Sequence, residues 1–485
     1  MEQESLKSKT VKGIGWSFAD NISGSGISFL VGLVLARLLT PNEYGLIGII
    51  TIFIAVFNSI VDSGFSNALI RKKNAGNIDY NTVFTFNLLL SIALFAVLYV
   101  CAPRISRFFY QPELVSLIRV MSIIIVINAF AIIQRTILVR KVDFKTQTKV
   151  SFIASMTSGV IGIGMAIGEC GVWSLVGQQI SRQLLNTLFL WVFNTWRPVL
   201  QFSIKSFREL FSFGWKLLVS SLIDTVWKEI YQVVIGKYYT TESLGQYTRA
   251  KQFCDIFSSN LTSVVQRVSY PVLSTIQGER ERLKQAYKRV IKTTMLITFV
   301  CMLGLAAMAK SIILVLIGEQ WLPAVVYLQI ICFSAMFYPL HAINLNMLQV
   351  NGRSDLFLKL EVVKKVIAVG PLLLGIFVHV IWMLWGSVLV GFVSYYLNSY
   401  YSGRDLNYGI REQIKNIAPS FFIAGLMAIV VYALSFVPVS VFILLPVQLL
   451  VGTSVVVVVG EISKIEEYIE VKQIALSVIR KITSR

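Results

Sequence analysis

Apolar runs of about 20 residues, the length a helix needs to cross the hydrocarbon core at about 1.5 Å per residue, recur along this chain from end to end. About fourteen can be drawn. They cover 14–39, 44–69, 80–102, 115–138, 150–168, 172–195, 213–236, 250–275, 290–312, 324–348, 357–378, 380–401, 416–436 and 439–460. The pattern predicts an all-α, polytopic membrane protein. No soluble domain of any size fits between the runs.

Several runs are apolar on only part of their circumference. Between Gly214 and Gly236, Lys216, Ser220, Asp224 and Lys228 follow one another at every fourth position, with Ser221, Thr225, Glu229 and Gln232 beside them. That spacing puts them on one helical face. The first span repeats the design with Ser17, Asp20, Asn21, Ser25 and Ser28, and the second with Asn58, Ser59, Asp62, Ser63 and Ser66. The eighth carries Gln252, Asp255, Ser259, Thr262 and Gln266. A charge near the middle of a span costs about 2.5–3.5 kcal/mol on insertion scales. Such stripes therefore need water, partners or a polar ligand, and the faces are expected to line a cavity. Spans three to six keep their charges near the ends, at Arg119 and Arg135, except for Arg182 inside span six.

The polar spans belong to a repeat. Adding 200 to the numbering places Thr40, Gly45, Phe53, Phe57, Ser59 and Ser63 on Thr240, Gly245, Phe253, Phe257, Ser259 and Ser263. One residue of slippage earlier, Gly15-Trp16 meets Gly214-Trp215. The expected organisation is a six-helix lobe over 1–196, a cytoplasmic connection over 197–212 and a second six-helix lobe over 213–402. Residues 403–485 add two C-terminal spans and a cytoplasmic tail. An even number of spans per lobe makes the repeats parallel, related by an axis along the membrane normal. Spans one, two, seven and eight then surround a central, water-filled, mixed-charge cavity.

Composition agrees with a membrane protein: hydrophobic residues make up 55% and charged residues 14%, and the mean hydropathy is +0.71. A soluble chain carries about a quarter charged. The net charge of +19 invites a nucleic-acid reading, but its distribution argues against one. Basic residues fill alternate connections, around Lys72, Lys145, Arg282, Lys359 and Arg411 and at both termini, while the opposite side has little beyond Arg104, Arg107, Lys237 and Lys310. This is the positive-inside pattern, with both termini cytoplasmic. The apolar stretch after the N-terminal basic region is too long for a cleavable signal. The 5 cysteines and 2 histidines lack metal, redox or catalytic spacing. No metal site, cofactor or catalytic residue is expected. No phosphate loop of the G-x-x-x-x-G-K-[ST] type is present.

The carboxylates Asp20, Asp62, Asp224 and Asp255 stand where a coupling proton or sodium ion can be carried, because an ionised carboxylate near the mid-plane is costly. Asp224 also precedes Lys228 by four residues, which suits a purely structural helix pair. Arg37, Arg249 and Lys251 lie near the outer interface, where snorkelling also accounts for them.

The opening KGIGWSFADNISGSGISFLVGLVLARLLTPNEYGLIG, Lys12 to Gly48, together with the doubled six-span lobe, resembles the polysaccharide transporter family. The resemblance is to its WzxC-like branch of lipopolysaccharide and exopolysaccharide flippases, in the multidrug/oligosaccharidyl-lipid/polysaccharide exporter superfamily, and covers essentially the whole chain. It implies a non-enzymatic flippase of the bacterial cytoplasmic membrane that moves undecaprenyl-diphosphate-linked oligosaccharide, with polymerase and chain-length proteins as partners besides membrane lipids. For such a head group Lys228, Arg249, Arg267 and Arg37 are the diphosphate candidates, since a planar guanidinium suits phosphate oxygens. Trp227 is placed to stack on sugar rings, and Trp16 and Trp215 to do so or to anchor at the interface. Two rivals stand beside this reading. An ion-coupled multidrug extruder would favour an acidic or aromatic cavity, and a membrane polymerase or ligase would need a large catalytic outer loop. The mixed charge and short outer connections fit neither well.

Overall fold

The computed structural model describes residues 26–62, 64–199, 201–404 and 406–483, and every regular element among them is helical. Trp16, Ser17, Asp20, Asn21 and Ser25 of the first polar stripe, and Ser63, lie outside the described residues. The chain packs as two units, Met1–Gly245 and Gln246–Arg485.

The first unit starts with α1 (Gly26–Leu38), α2 (Pro41–Asp62), α3 (Phe65–Arg71) and α4 (Asn77–Phe109), followed by α5 (Leu114–Met121) and α6 (Ile123–Arg140). Helices α7 (Phe144–Ile167), α8 (Trp173–Phe193) and α9 (Ile204–Tyr238) complete it, together with the first turn of α10 (Thr241–Thr275). Thr40 opens α2: its N–H donates to Glu43 Oε2 at 2.6 Å, the reciprocal carboxylate arm of an N-terminal cap. The second span bends where α2 gives way to α3. Gly64 there adopts the left-handed region, φ 67°, and an ideal Cβ on it would fall 2.4 Å from the Gly214 carbonyl oxygen of α9. Only glycine meets both demands. Beyond the bend, Phe65 and Leu69 join Val83, Phe84, Ile133, Ile137 and Leu210 in a buried cluster.

The connection expected over 197–212 is helical from Ile204 and runs without a break into the polar seventh span. Its anchorage explains the continuity. Ser203 caps α9 by accepting from the Ser206 N–H at 3.3 Å. The Ser206 hydroxyl donates to the buried Asp79 carboxylate, which also takes the Gly76 N–H at 3.0 Å and the Lys72 ammonium at 3.0 Å. Lys72 further pairs with Glu209 at 2.9 Å. Burial opposes the charge on Lys72, but the bonds to Glu209 and Asp79 outweigh it and raise its pKa above the ordinary value.

The second unit holds the rest of α10, then α11 (Arg280–Ala307), α12 (Ala309–Leu316), a 3₁₀ turn (Glu319–Trp321), α13 (Ala324–Ala335) and α14 (Tyr338–Val350). It continues through α15 (Ser354–Ile367), α16 (Val369–Phe377), α17 (Val380–Arg404), α18 (Ile410–Ala433), α19 (Val441–Ser463) and α20 (Glu466–Thr483). Ala307, Met427 and Val431 form a buried cluster joining α11 to α18. A buried polar knot ties α11, α14 and α17 together: the Tyr287 hydroxyl meets Asn344 and lies 3.0 Å from Ser402 Oγ.

Nine helices or joined helix pairs among the described residues are long and apolar enough to cross a membrane. α8, α9 and α10 are long enough but more polar, at 21, 35 and 35 residues. The chain is a multi-pass membrane protein.

Candidate functional site

In the first unit α2 and α9 lie side by side, and their polar faces meet: Ser59 Oγ and Ser221 Oγ are 3.1 Å apart. Asp62 extends the α2 face and accepts the Ser66 hydroxyl. On α9, Ser221, Asp224 and Lys228 are exposed and Thr225 is half-buried. The Ser221 and Thr225 hydroxyls also donate to the Leu218 and Ser221 carbonyls of their own helix, at 3.0 and 2.8 Å. Glu229 is engaged within α9, where Gln232 donates to it. Arg37 is exposed at the end of α1.

Two amides that the stripe pattern did not single out join this face. Gln183 of α8 donates to Asn128 Oδ1 of α6 at 3.1 Å, and Asn128 donates to Asn58 Oδ1 of α2 at 3.1 Å. A polar relay thus crosses the apolar interior and ends beside the Ser59–Ser221 contact. Neither amide belongs to the stripes of the first, second, seventh or eighth span, so only the packing reveals the link.

At the other end of α2 the chain closes tightly. An ideal Cβ on Gly45 would fall 1.8 Å from the Thr241 carbonyl oxygen, and one on Gly245 would fall 1.8 Å from that of Pro41. The Thr241 hydroxyl donates to Asn42 Oδ1. Nearby, Lys237 Nζ sits 4.0 Å from the Tyr110 ring centroid and 4.3 Å from that of Phe108.

In the second unit Arg249 is 5% exposed, not extended towards an interface. Its guanidinium donates to Gln252 and lies 5.9 Å from the ring centroid of the buried Trp321. Gln246 holds the same turn by donating to the Gln320 carbonyl at 2.8 Å. Arg249 thereby fastens the 3₁₀ turn to α10. Asp255 is half-buried and Arg267 exposed further along α10. Among the described residues no group of His, Cys, Asp and Glu is placed to hold a metal ion.

The chain is similar to lipid II flippase MurJ in an inward closed conformation, with a TM-score of 0.75 at 17% identity over 93% of this chain and 98% of that one. A family profile described as polysaccharide biosynthesis protein matches residues 34–326, and the chain belongs to that family. Relatives include the teichuronic acid biosynthesis protein TuaB of Bacillus subtilis strain 168, 24% identical over 354 residues and 73% of each chain. The lipopolysaccharide biosynthesis protein WzxC of Escherichia coli strain K12 is 24% identical over 378 residues and 76% of each chain. The family resemblance read from the sequence holds: the chain is a member of a polysaccharide biosynthesis family.

Proposed function

We propose that this protein flips undecaprenyl-diphosphate-linked oligosaccharide units across the bacterial cytoplasmic membrane, for O-antigen, capsule or exopolysaccharide assembly. The observation that carries the reading is the Ser59–Ser221 contact at 3.1 Å, which joins the polar faces of two membrane-length helices. A lining of hydroxyls, with Asp224 and Lys228 continuing it, suits a large, anionic, hydrated head group while the prenyl tail stays in lipid.

In this reading the polar helices α8, α9 and α10 also cross the membrane, and both termini are cytoplasmic. The lobes 1–196 and 213–402 alternate access to the two sides, with 403–485 as an addition outside the repeat. Lys228, Arg267, Arg37 and Arg249 serve the diphosphate. The burial of Arg249 under Trp321 assigns it the most structural share of that task. Asp20, Asp62, Asp224 and Asp255 carry a coupling proton or sodium ion. Polymerase and chain-length proteins receive the flipped unit. Deletion of the gene tests the whole reading. Accumulation of a lipid-linked oligosaccharide on the inner leaflet is expected. Unchanged lipid-linked intermediates with loss of resistance to cationic compounds would instead favour an ion-coupled extruder.

A further inference from the structure

Helix α8 carries a second polar face that the roles above leave unused. Gln178, Arg182 and Asn186 recur at every fourth position, on one face of the helix, and all three are half-buried. The neighbouring row is used up in packing. Gln183 donates to Asn128 at 3.1 Å, and the Thr187 hydroxyl reaches the Gln183 and Ile127 carbonyls at 2.9 and 3.2 Å. The row through Arg182 has no such employment: among the described residues Arg182 makes no hydrogen bond and no ion pair.

Arg182 stands near the middle of the 21 residues of Trp173–Phe193. At about 1.5 Å per residue it is about 15 Å from either helix end, well beyond what one side chain covers by snorkelling. Among the described residues, the helices most extensively packed against α8 are α2, α5, α6 and α7. They contain only two carboxylates, Glu43 and Asp62, at opposite ends of α2. Glu43 is engaged with Thr40 and Asp62 with Ser66. A guanidinium held at mid-membrane without a free counter-charge on these four helices is costly unless an anion arrives. Gln178 and Asn186, one turn to either side, add neutral amide donors suited to phosphate oxygens.

We infer that Arg182, flanked by Gln178 and Asn186, forms an anion subsite in the first unit that takes a diphosphate oxygen of the lipid-linked head group at mid-membrane. The subsite rests on the flippase reading and extends it to a helix outside the polar stripes of spans one, two, seven and eight. The planar guanidinium offers its N–H groups to that phosphate, and the Gln183–Asn128–Asn58 relay holds α8 against α6 and α2 while the anion occupies it.

The test uses the full-length protein in phosphatidylcholine nanodiscs, with farnesyl diphosphate as probe and farnesol and inorganic diphosphate as controls. Wild type is expected to bind farnesyl diphosphate over both. Arg182→Gln should weaken that binding by about tenfold or more, Arg182→Lys by less, and neither should change thermal stability or farnesol binding. Equal affinity for inorganic diphosphate, lost in the same variant, would mean a free-anion site and overturn the head-group assignment. A wild type that does not prefer diphosphate to alcohol would sink the flippase reading together with the subsite. Preference retained in Arg182→Gln would remove the subsite alone. If Arg182→Gln instead lowers folded protein and adding Asp20→Asn restores it, Arg182 neutralises a carboxylate of the first span and binds no ligand.

Discussion

Gly45 and Gly245 hold reciprocal positions in this protein. Gly45 abuts the carbonyl of Thr241, Gly245 abuts that of Pro41, and in each case an ideal Cβ would fall 1.8 Å from the oxygen. The two helix starts share their capping as well: Glu43 N–H is 3.5 Å from Thr40 Oγ1, and Ser243 N–H donates to Thr240 Oγ1 at 3.1 Å. The relation is the 200-residue repeat of the sequence expressed in packing within the first unit. Because backbone atoms cannot yield as a flexible side chain can, Gly45→Ala and Gly245→Ala should each cost about 1–3 kcal/mol. A thermal-shift measurement on purified protein checks this. Stability within experimental error of wild type for both variants would refute the close crossing.

The same crossing bears on alternating access. Asn42 and Thr241 touch side chain to side chain, so Asn42→Cys with Thr241→Cys should form a disulfide under mild oxidation. If this end must separate during transport, oxidised cells should lose polysaccharide export and regain it on reduction, while the single-cysteine variants export normally. Full export with the cross-link formed would show that the crossing stays closed throughout the cycle.

Asp79 binds the ammonium of Lys72, the hydroxyl of Ser206 and the N–H of Gly76. Its removal takes the acceptor from the buried Ser206 hydroxyl and from the Gly76 N–H, while Lys72 keeps Glu209. Asp79→Ala should therefore destabilise by about 2–3 kcal/mol and free the start of α9, read as faster protease cleavage within 197–212. Lys72→Met should do less, because Lys72 is partly exposed and Ser206 and Gly76 keep their partner. An Asp79→Ala protein as protease-resistant as wild type would contradict the anchorage.

Lys228 separates a binding role from a structural one. As a diphosphate ligand, its change to Ala should leave membrane abundance nearly intact and abolish export, with Lys228→Arg keeping part of the function. As a structural partner of a carboxylate, Lys228→Ala should lower abundance, and Lys228→Ala with Asp224→Asn should restore it. Export is normalised to membrane protein level in complemented cells. Wild-type export by Lys228→Ala at equal abundance would remove it from the site.

Orientation follows from the basic connections. A cysteine at Lys284, whose ammonium donates to the Asn407 carbonyl at 2.9 Å, should resist a membrane-impermeant maleimide in whole cells and react once the membrane is opened. Strong labelling from outside would invert the assigned topology.

The all-helical membrane class and the polar stripes of α2, α9 and α10 were legible in the sequence because both are periodic. Span length repeats along the chain, and a polar face repeats every three to four residues whatever lies opposite it. The glycine pair at 45 and 245 was legible as a repeat, though not as a contact. What only the tertiary structure decided are matters of which faces meet. Gln183 and Asn128 lie outside the periodic stripes of the first, second, seventh and eighth spans, and packing alone strings them into a relay with Asn58. Arg249 reads as an interfacial cation until Trp321, remote in sequence, folds over it. The bend at Gly64 follows from the Gly214 backbone passing 2.4 Å from where a Cβ would stand. Local periodicity sets each helix's faces, but a partner brought from far along the chain determines which face is lined, covered or left open.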